Sequence, residues 1–494
     1  MYFLLTNMEF LGRNNMKNAL ALCLCFFAFF PILLWADETE KEIILKQQKE
    51  IESLKKIVDS LQKRVGDLEI SKEVPAKKQE MESQDTKVLR QMIKEEVTQL
   101  LDPKKDPSKK DVEPFWKGRF GFETEDGMFS MIIGARIAVD FLFGHEDRTI
   151  HKNQGPIEDS VEFRSIRPNI EGKVFKHFFY KVDISLAGGS VAIFDVYMGV
   201  EGLPLSGRVF VGHFKEPFCL ETARPATWFT FMERSSVEIL SPNRNIGIAY
   251  FGNLAEERIA FGFGFFRDTL NNNPAKVEGD SGSYAFTARF TGLPYYENKG
   301  EKLIHLGVGY SYRNPINDEL RYRAKPEVRL APYFVDTGVL SKVQDNHLMG
   351  IEGALVFGPL SIQSEFLCSF VRYEGASTKE DEHFWGYYVY ATYFLTGEHR
   401  NYNKEKGCFN DIKPKSNFME GGYGAWEIAL SYSKLDLNDE TRGGCMDNII
   451  VGLNWYPNSH LRIMLNYVYS NLSLDKNLED TDAHIFMTRF QVRF

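Results

Sequence analysis

A two-residue alternation of apolar and polar side chains runs through most of this chain and constrains its fold more than any other feature. It is clearest over residues 129–143, where every second residue is apolar and Arg136 and Asp140 share the other parity. Successive side chains of a strand point to opposite faces, so this period predicts strands with one apolar and one polar face. The pattern recurs over 178–187, 281–291, 302–313, 446–456, 460–470 and 485–494.

The strands are numerous and rich in aromatic residues, and their polar parity carries Arg, Asn and Gly. After the N-terminal leader no run of about 18 apolar residues occurs, which excludes helical membrane spans. A soluble sandwich would also alternate, but a transmembrane barrel, apolar outside and polar inside, fits this composition better. The sequence therefore predicts an all-β transmembrane barrel over 115–494.

The number of strands follows from the connectors between them. Seventeen candidates can be marked, but a barrel whose two ends lie on the same side of the membrane needs an even number. Short connectors alternate with long ones except around 314–346. The candidate there contains Pro326, which cannot donate to an interior ladder, so we assign it to a loop. This leaves about 16 antiparallel strands, with the loop between strands nine and ten.

The residues before the barrel predict two further parts. Residues 1–36 have the layout of a secretory signal peptide, with Met16 as an alternative start and a retained membrane anchor as the alternative interpretation. Residues 44–68 keep an apolar heptad, so we expect an N-terminal coiled-coil helix as a periplasmic stalk over 37–101, with three strands slightly favoured over two. Residues 102–114 form a polar, Pro- and Lys-containing linker.

The loop around Pro326 carries the most unusual charge pattern of the chain. In LRYRAKPEVRL (320–330), the cations share one parity and are Arg321, Arg323, Lys325 and Arg329. If the loop folds inward in extended form, neighbouring cations stand about 6.6 Å apart and could pass an anion along. The alternative is an exposed basic loop that pairs with Glu319 and Glu327 or binds surface polysaccharide. The pattern alone leaves both open.

Seven segments together resemble the phosphate- and polyphosphate-selective porins, the porin O and P family. They are GRFGFETEDGMFSMIIGARI (118–137), VEFRSIRPNIEG (161–172), VGHFKEPFCLETARPATWFTFMERS (211–235), YRNPINDELRYRAKPEVRLAP (312–332), YYVYATYFLTGE (387–398), GAWEIALSY (424–432) and LNWYPNSHLRIMLNYV (453–468). The resemblance implies a homotrimer of 16-stranded barrels, with loop three folded inward as the constriction and an arginine ladder leading anions to it.

The resemblance also assigns residues. The four cations of 320–330 match the ladder, Arg136 and Arg164 are barrel-lumen candidates, and Arg234 matches the arginine that closes loop three. The second arginine of an adjacent pair is replaced by Ser165. Two constriction lysines of phosphate-specific members are replaced as well, and the constriction candidates here are Lys215, Thr222, Arg224, Thr227 and Arg234. Threonine offers one neutral donor where lysine offers a charge-assisted one, so the sequence favours anion preference over strict phosphate specificity.

We expect an outer-membrane porin for passive diffusion of small anions such as phosphate or polyphosphate. The alternatives are a general porin, or a structural or adhesive protein tethered to the cell wall through its coiled coil. We expect no enzyme, catalytic residue, cofactor, metal site or nucleic-acid partner, and the sequence leaves a disulfide undecided. The terminal FQVRF, ending at Phe494, resembles the tail that the barrel-assembly machinery recognises, and outer-membrane lipid is the expected surrounding.

Deleting residues 37–100 should leave an assembled barrel, because a barrel closes its own backbone hydrogen bonds. The measurement is the heat-dependent gel shift of the truncated protein after extraction from membranes. Failure of the truncated protein to insert would mean that the stalk takes part in folding.

Overall fold

The computed structural model describes residues 112–116, 118–269, 283–375, 380–438, 443–473 and 481–494. Within these residues, sixteen long antiparallel strands form one closed barrel, as predicted. They are β1 Phe129–Glu146, β2 Ser160–Val174, β3 Phe178–Ser185, β4 Ala192–Leu203, β5 Gly207–Lys215, β6 Arg244–Leu254, β7 Ile259–Arg267, β8 Tyr284–Glu297, β9 Lys302–Arg313, β10 Val343–Phe357, β11 Leu360–Tyr373, β12 Glu382–Phe394, β13 Ala425–Asp436, β14 Cys445–Tyr456, β15 Leu461–Ser473 and β16 Thr481–Arg493. The predicted signal peptide and stalk lie outside the described residues.

The last strand closes the barrel against the first. β16 pairs with β1 from Ala483↔Glu146 to Arg493↔Arg136, and the backbone of Phe494 exchanges two further hydrogen bonds with Ala135. Closure matters because lipid offers no partner to an open sheet edge.

An additional hairpin continues this edge. Its strands are Val112–Trp116 and Phe120–Thr124, and the second pairs with β1 over Ser130–Ile133, just before the β16 pairing begins. The first strand of this hairpin begins at Val112, within residues 102–114, and the first strand of the closed barrel begins at Phe129.

The two parities of the strands separate as the alternation predicts. On β1, Ile137, Phe141 and Phe143 are exposed on the outer face, whereas Asp140 on the other parity is 6% exposed and faces inward. An exposed apolar outer face is stable only against lipid, and the inward polar face can hydrogen-bond to chain folded inside the barrel. Among the described residues, no helix is long and apolar enough to cross a membrane.

The connections differ between the two ends of the barrel. At the end where β1 starts and β16 stops, called the turn side, most connections are short, as at 204–206 and 358–359. The strict alternation of short and long connectors predicted outside 314–346 is wrong at one place. Residues 395–424 form a long connection on the turn side, between β12 and β13, which we call the turn-side segment.

At the opposite end, two long connections are loop 3 (216–243, between β5 and β6) and loop 5 (314–342, between β9 and β10). Loop 5 therefore lies where the strand count predicted. The helices are α1 Arg148–Asn153 and α2 Leu220–Ala223, and the 3-10 turns are Ala187–Gly189, Ala226–Trp228, Ser236–Leu240, Asn298–Gly300 and Ile316–Asp318. Short strand pairs join Glu319–Leu320 to Leu340–Ser341, Arg323–Ala324 to Val335–Asp336, and Tyr402–Asn403 to Cys408–Phe409.

A buried ion pair spans the closing seam. Arg489 of β16 donates from Nε and Nη2 to the two carboxylate oxygens of its register partner Asp140 on β1, each at 2.7 Å.

Arg489→Met should destabilise the barrel by about 3–5 kcal/mol, because it leaves a buried carboxylate without its partner. The measurement is the urea midpoint of the folded band on a gel. The double variant Arg489→Met/Asp140→Leu removes both charges and should lose less than the single variant; an equal or larger loss would contradict the account.

Candidate functional site

Loop 3 crosses the lumen because side chains of the barrel wall hold its backbone. Four backbone carbonyl oxygens between residues 227 and 232 accept hydrogen bonds from lumen-facing residues of β14, β15 and β16. The bonds are Gln491 Nε2 to Thr227 O at 3.3 Å, Arg462 Nη1 to Phe229 O at 2.5 Å, Arg462 Nη2 and Asn454 Nδ2 to Thr230 O at 3.0 and 2.9 Å, and Arg489 Nη1 to Met232 O at 2.5 Å. The three bonds from Arg462 and Arg489 have charged donors, which makes them stronger than bonds from neutral groups, so the wall holds the loop in position.

The two ends of this stretch are anchored by carboxylates. Glu365 on β11 accepts from the backbone N–H groups of Leu220 at 2.5 Å and Glu221 at 3.1 Å. At the other end, Glu233 of loop 3 accepts two hydrogen bonds from Arg164 of β2, at 2.6 and 2.8 Å. Burial opposes ionisation of Glu233, but the charges of Arg164 and Arg489 outweigh it and lower the pKa of Glu233 to about 2. Arg164 therefore serves as an anchor of loop 3.

Loop 5 lies against the inner wall with the alternation predicted from its sequence. Tyr322, Ala324 and Val328 are buried, whereas Arg321 and Arg323 are exposed. The hydroxyl of Tyr322 lies 3.0 Å from Ser369 Oγ of β11 and accepts from Asn346 Nδ2 of β10 at 2.7 Å. These partners belong to the inward parity of the wall, so the loop is folded inside the barrel.

Glu327 fixes loop 5 to both loop 3 and the wall. Its Oε1 accepts from the Ser236 backbone N–H at 3.0 Å, from Asn448 Nδ2 at 3.2 Å and from Ser433 Oγ at 2.5 Å. Burial raises the pKa of Glu327. Within the described contacts, neither Glu327 nor Glu319 pairs with a cation of the ladder, a pairing that the exposed-loop alternative offered beside polysaccharide binding.

The four ladder cations nevertheless have partners. Arg321 forms a bidentate pair with Asp336, at 2.8 and 2.5 Å, and Arg329 lies 3.3 Å from Glu162. Arg323 and Lys325 both stand over the ring of Tyr333, at 4.2 and 5.1 Å from its centroid. Lys325 Nζ also donates to Arg329 O at 2.6 Å. Carboxylates thus offset the positive charges of Arg321 and Arg329. The contacts described for Arg323 and Lys325 are with an aromatic ring and a carbonyl oxygen, which do not neutralise their charges.

The structure separates the constriction candidates into two groups. Lys215 and Thr227 line the lumen cavity; Lys215 Nζ donates to the carbonyl oxygens of Thr222 and Arg224 at 2.6 and 2.8 Å. Thr222 and Arg224 are 1% and 2% exposed and do not line the cavity, so the alignment of Thr222 with a pore lysine does not put its side chain in the channel. Arg234 pairs with Glu238 and lies 4.6 Å from the centroid of the Phe229 ring.

The lumen cavity on the turn side of loop 3 has a volume of about 940 Å³. Its described lining includes eleven Lys and Arg side chains against seven Asp and Glu side chains. The excess is local, because the whole chain has a net charge of -9. Local charge sets the selectivity of a pore, so this lining favours anions.

Three arginines of the lining form a row in register across the seam: Arg493 of β16, Arg136 of β1 and Arg167 of β2. Side chains directly opposite on neighbouring strands share one face, and like charges there repel. Asp183 pairs with Arg167 at 2.5 Å, but no described carboxylate lies within 4.0 Å of Arg136 or Arg493.

Both of these arginines face the tip of loop 3. The Arg136 guanidinium lies 3.4 Å from Thr227 Oγ1, and the Arg493 guanidinium lies 3.4 Å from the centroid of the Trp228 ring. We name Arg493, Arg136 and Arg167 the arginine row. Only Arg136 was predicted from the sequence, since a single chain shows parity but not cross-strand register; the parity of 485–494 could at most have placed Arg493 inside.

The turn-side segment also folds into the lumen. Arg289 of β8 donates to its Gly407 O at 2.8 Å, and Tyr402 OH lies 2.6 Å from His305 Nδ1 of β9. Lys406 and Lys413 of this segment line the cavity. Among the described residues, no group of three or more His, Cys, Asp or Glu residues could hold a metal, and the four described cysteines are free thiols.

Comparison with known proteins matches residues 133–494 to the family of phosphate-selective porin O and P. This chain belongs to that family. The chain is 25% identical over 418 residues to Porin O of Pseudomonas aeruginosa, covering 76% of this chain and 91% of that protein. It is 28% identical over 380 residues to an uncharacterised protein of Caulobacter vibrioides, covering 75% and 74% of the two chains.

Solved porin structures are similar in outline. The outer-membrane channel DcaP of Acinetobacter baumannii has a TM-score of 0.49 at 12% identity, and the match covers 76% of this chain and 99% of that chain. An anion-selective porin from Comamonas acidovorans has a TM-score of 0.48 at 10% identity, covering 74% and 100%. Membership of the porin O and P family, with a closed barrel, indicates an outer-membrane channel rather than an enzyme.

Replacing Glu327 should distinguish its hydrogen bonds from its charge. Glu327→Gln keeps an oxygen acceptor for the three donors and should leave loop 5 docked, whereas Glu327→Ala leaves buried donors without a partner, at a cost of about 1–3 kcal/mol. The measurement is the rate at which trypsin cuts loop 5 in the folded barrel. We expect faster cleavage in Glu327→Ala, by about tenfold or more, and a rate like that of the unaltered protein in Glu327→Gln.

The raised pKa of Glu327 adds a pH dependence. A carboxyl whose pKa is raised on docking contributes its full stability below its undocked pKa and loses it as the pH rises through the docked pKa. Trypsin should therefore cut loop 5 faster at higher pH, after correction for the enzyme's own pH dependence. Glu327→Gln should remove that excess, and an unchanged pH dependence in this variant would contradict the assignment.

Proposed function

We propose that this protein is a porin for passive diffusion of small anions, with phosphate and short polyphosphates as its preferred solutes. The observation that carries the proposal is the arginine row opposite the tip of loop 3. Arg136 and Arg493 stand side by side in the lumen, and none of the carboxylates that the structure describes lies within 4.0 Å of either, an arrangement that a passing anion stabilises.

Loop 5, which joins strands at the end of the barrel opposite the turn side, supports the same preference for anions. Its cations share the exposed side of a segment whose apolar side is packed on the wall. Arg323 and Lys325 would attract an anion, and their partial exposure leaves them weak enough to release it. The description of the family, phosphate-selective porin O and P, supports the proposal that phosphate is preferred over other anions.

We further propose a homotrimer, as the family resemblance implies, inserted by the barrel-assembly machinery into outer-membrane lipid. The stalk predicted over 37–101 would reach into the periplasm toward the cell wall.

Chemical cross-linking of the detergent-extracted protein should give a trimer as the largest species, and a monomer under the same conditions would contradict the proposed homotrimer.

Phosphate block of the chloride current in planar bilayers tests the arginine row. A unit charge at about 4 Å contributes about 1 kcal/mol even when water screens it fully, so each lost cation should weaken block about fivefold. Arg136→Gln/Arg493→Gln should therefore need about 25-fold more phosphate for half-block. The matched control is Lys176→Gln/Lys299→Gln, which removes two exposed cations from short turns outside the cavity lining and should leave block unchanged.

The ladder is tested in the same assay by Arg321→Gln/Arg323→Gln/Lys325→Gln. We expect weaker block with normal barrel assembly, because loop 5 contributes no strand to the barrel ladder. If phosphate blocks the ladder variant as strongly as the control, loop 5 does not guide the anion. If phosphate also blocks the arginine-row variant as strongly as the control, the proposed selectivity fails.

A further inference from the structure

A second cluster of arginines lies behind loop 3, outside the lumen cavity. It consists of Arg224 of loop 3, Arg400 of the turn-side segment and Arg462 of β15, which are 2%, 1% and 4% exposed. None of the three lines the lumen cavity. This cluster is therefore separate from the site proposed for permeating anions.

The three arginines belong to one connected group of contacts. Thr230 joins Arg224 to Arg462, because its hydroxyl lies 3.4 Å from Arg224 Nη1 and its carbonyl oxygen accepts from Arg462 Nη2 at 3.0 Å. Asn454 Nδ2 donates both to that carbonyl oxygen, at 2.9 Å, and to Glu427 Oε2, at 3.0 Å. Glu427 in turn forms an ion pair with Arg400.

The charges of this group do not balance. Glu427, which is 0% exposed, is the one carboxylate among these contacts, so three cations face one anion. Burying an ion without a partner costs several kcal/mol, and buried charges in proteins are normally paired. Burial lowers the pKa of Arg224, and the neighbouring charge of Arg400 lowers it further.

The hydrogen-bond donors of the group are incomplete as well. Arg224 Nε and Nη2, Arg400 Nη1 and Arg462 Nε are buried and have no acceptor among the described residues. Each of the three connected guanidinium groups thus has at least one buried nitrogen whose N–H lacks an acceptor among the described residues. Unsatisfied buried donors are costly, and a negatively charged acceptor satisfies them best.

We propose that Arg224, Arg400 and Arg462 bind one chloride ion that ties loop 3 to the turn-side segment and the wall. A halide fits better than an oxyanion because the three side chains are nearly sealed and lie outside the lumen cavity. The bound ion offsets one of the two excess charges and accepts the free N–H groups. Since its three ligands come from loop 3, the turn-side segment and the wall, the ion adds to the hydrogen bonds by which the wall holds loop 3.

The direct test is a crystal of the unaltered protein soaked in sodium bromide. We expect an anomalous bromide peak within about 3.5 Å of nitrogen atoms of at least two of the three arginines, a hydrogen-bond distance to a large anion. No peak at this position would overturn the proposal, and so would a tetrahedral oxyanion in its place. This measurement does not depend on any variant folding.

A solution test measures the thermal midpoint of the detergent-solubilised barrel in chloride and in gluconate at equal ionic strength. A ligand that binds the folded state raises the midpoint, here by about 2 °C or more. Arg400→Met should lose this difference, whereas Lys415→Met, which removes an exposed cation of the same segment outside the lining of the lumen cavity, should keep it. Equal midpoints in the two salts for the unaltered protein would overturn the proposal.

The chloride site and the proposed function fail separately. A bromide peak at the three arginines would stand even if phosphate failed to block the channel. Conversely, phosphate block that depends on the arginine row would stand without any halide behind loop 3.

Discussion

Every backbone polar group inside a bilayer must find its partner within the protein, and the rest of this structure depends on that constraint. It requires the sixteen strands to close, and the pairing of β16 with β1 meets the requirement from Glu146 to Arg136. Closure then forces the alternating side chains apart, with the apolar parity toward lipid and the polar parity into the lumen. The polar lumen is the surface on which all the inward segments are held.

The wall holds these segments mainly through charged side chains that donate to backbone oxygens. Arg462 and Arg489 bind loop 3 in this way, and Arg289 binds the turn-side segment. Two of these three arginines are balanced by carboxylates: Arg489 by Asp140 and Glu233, and Arg289 by Glu352. Arg136 and Arg493 face the cavity and have no carboxylate within 4.0 Å among the described residues, which is why the lumen can favour anions in an acidic chain.

The sequence predicted those features that depend on parity and chain order. Strand number, the place of loop 5 and the burial of alternate residues around Tyr322 follow from a period of two and from a proline that cannot donate. The arginine row could not be predicted, because it depends on cross-strand register, which one chain does not display. The burial of Thr222 and the inward turn-side segment depend on contacts between residues far apart in sequence, such as Arg289 with Gly407. The predicted stalk lies outside the described residues and stays a prediction.

The central claim is that cations fixed in the lumen, rather than the net charge of the chain, decide which ions pass. The most direct measurement is the zero-current potential of the unaltered protein in a planar bilayer across a tenfold KCl gradient at low salt, where screening is weakest. The account predicts a potential displaced toward the chloride equilibrium value. A potential near zero, or one displaced toward the potassium value, would contradict it.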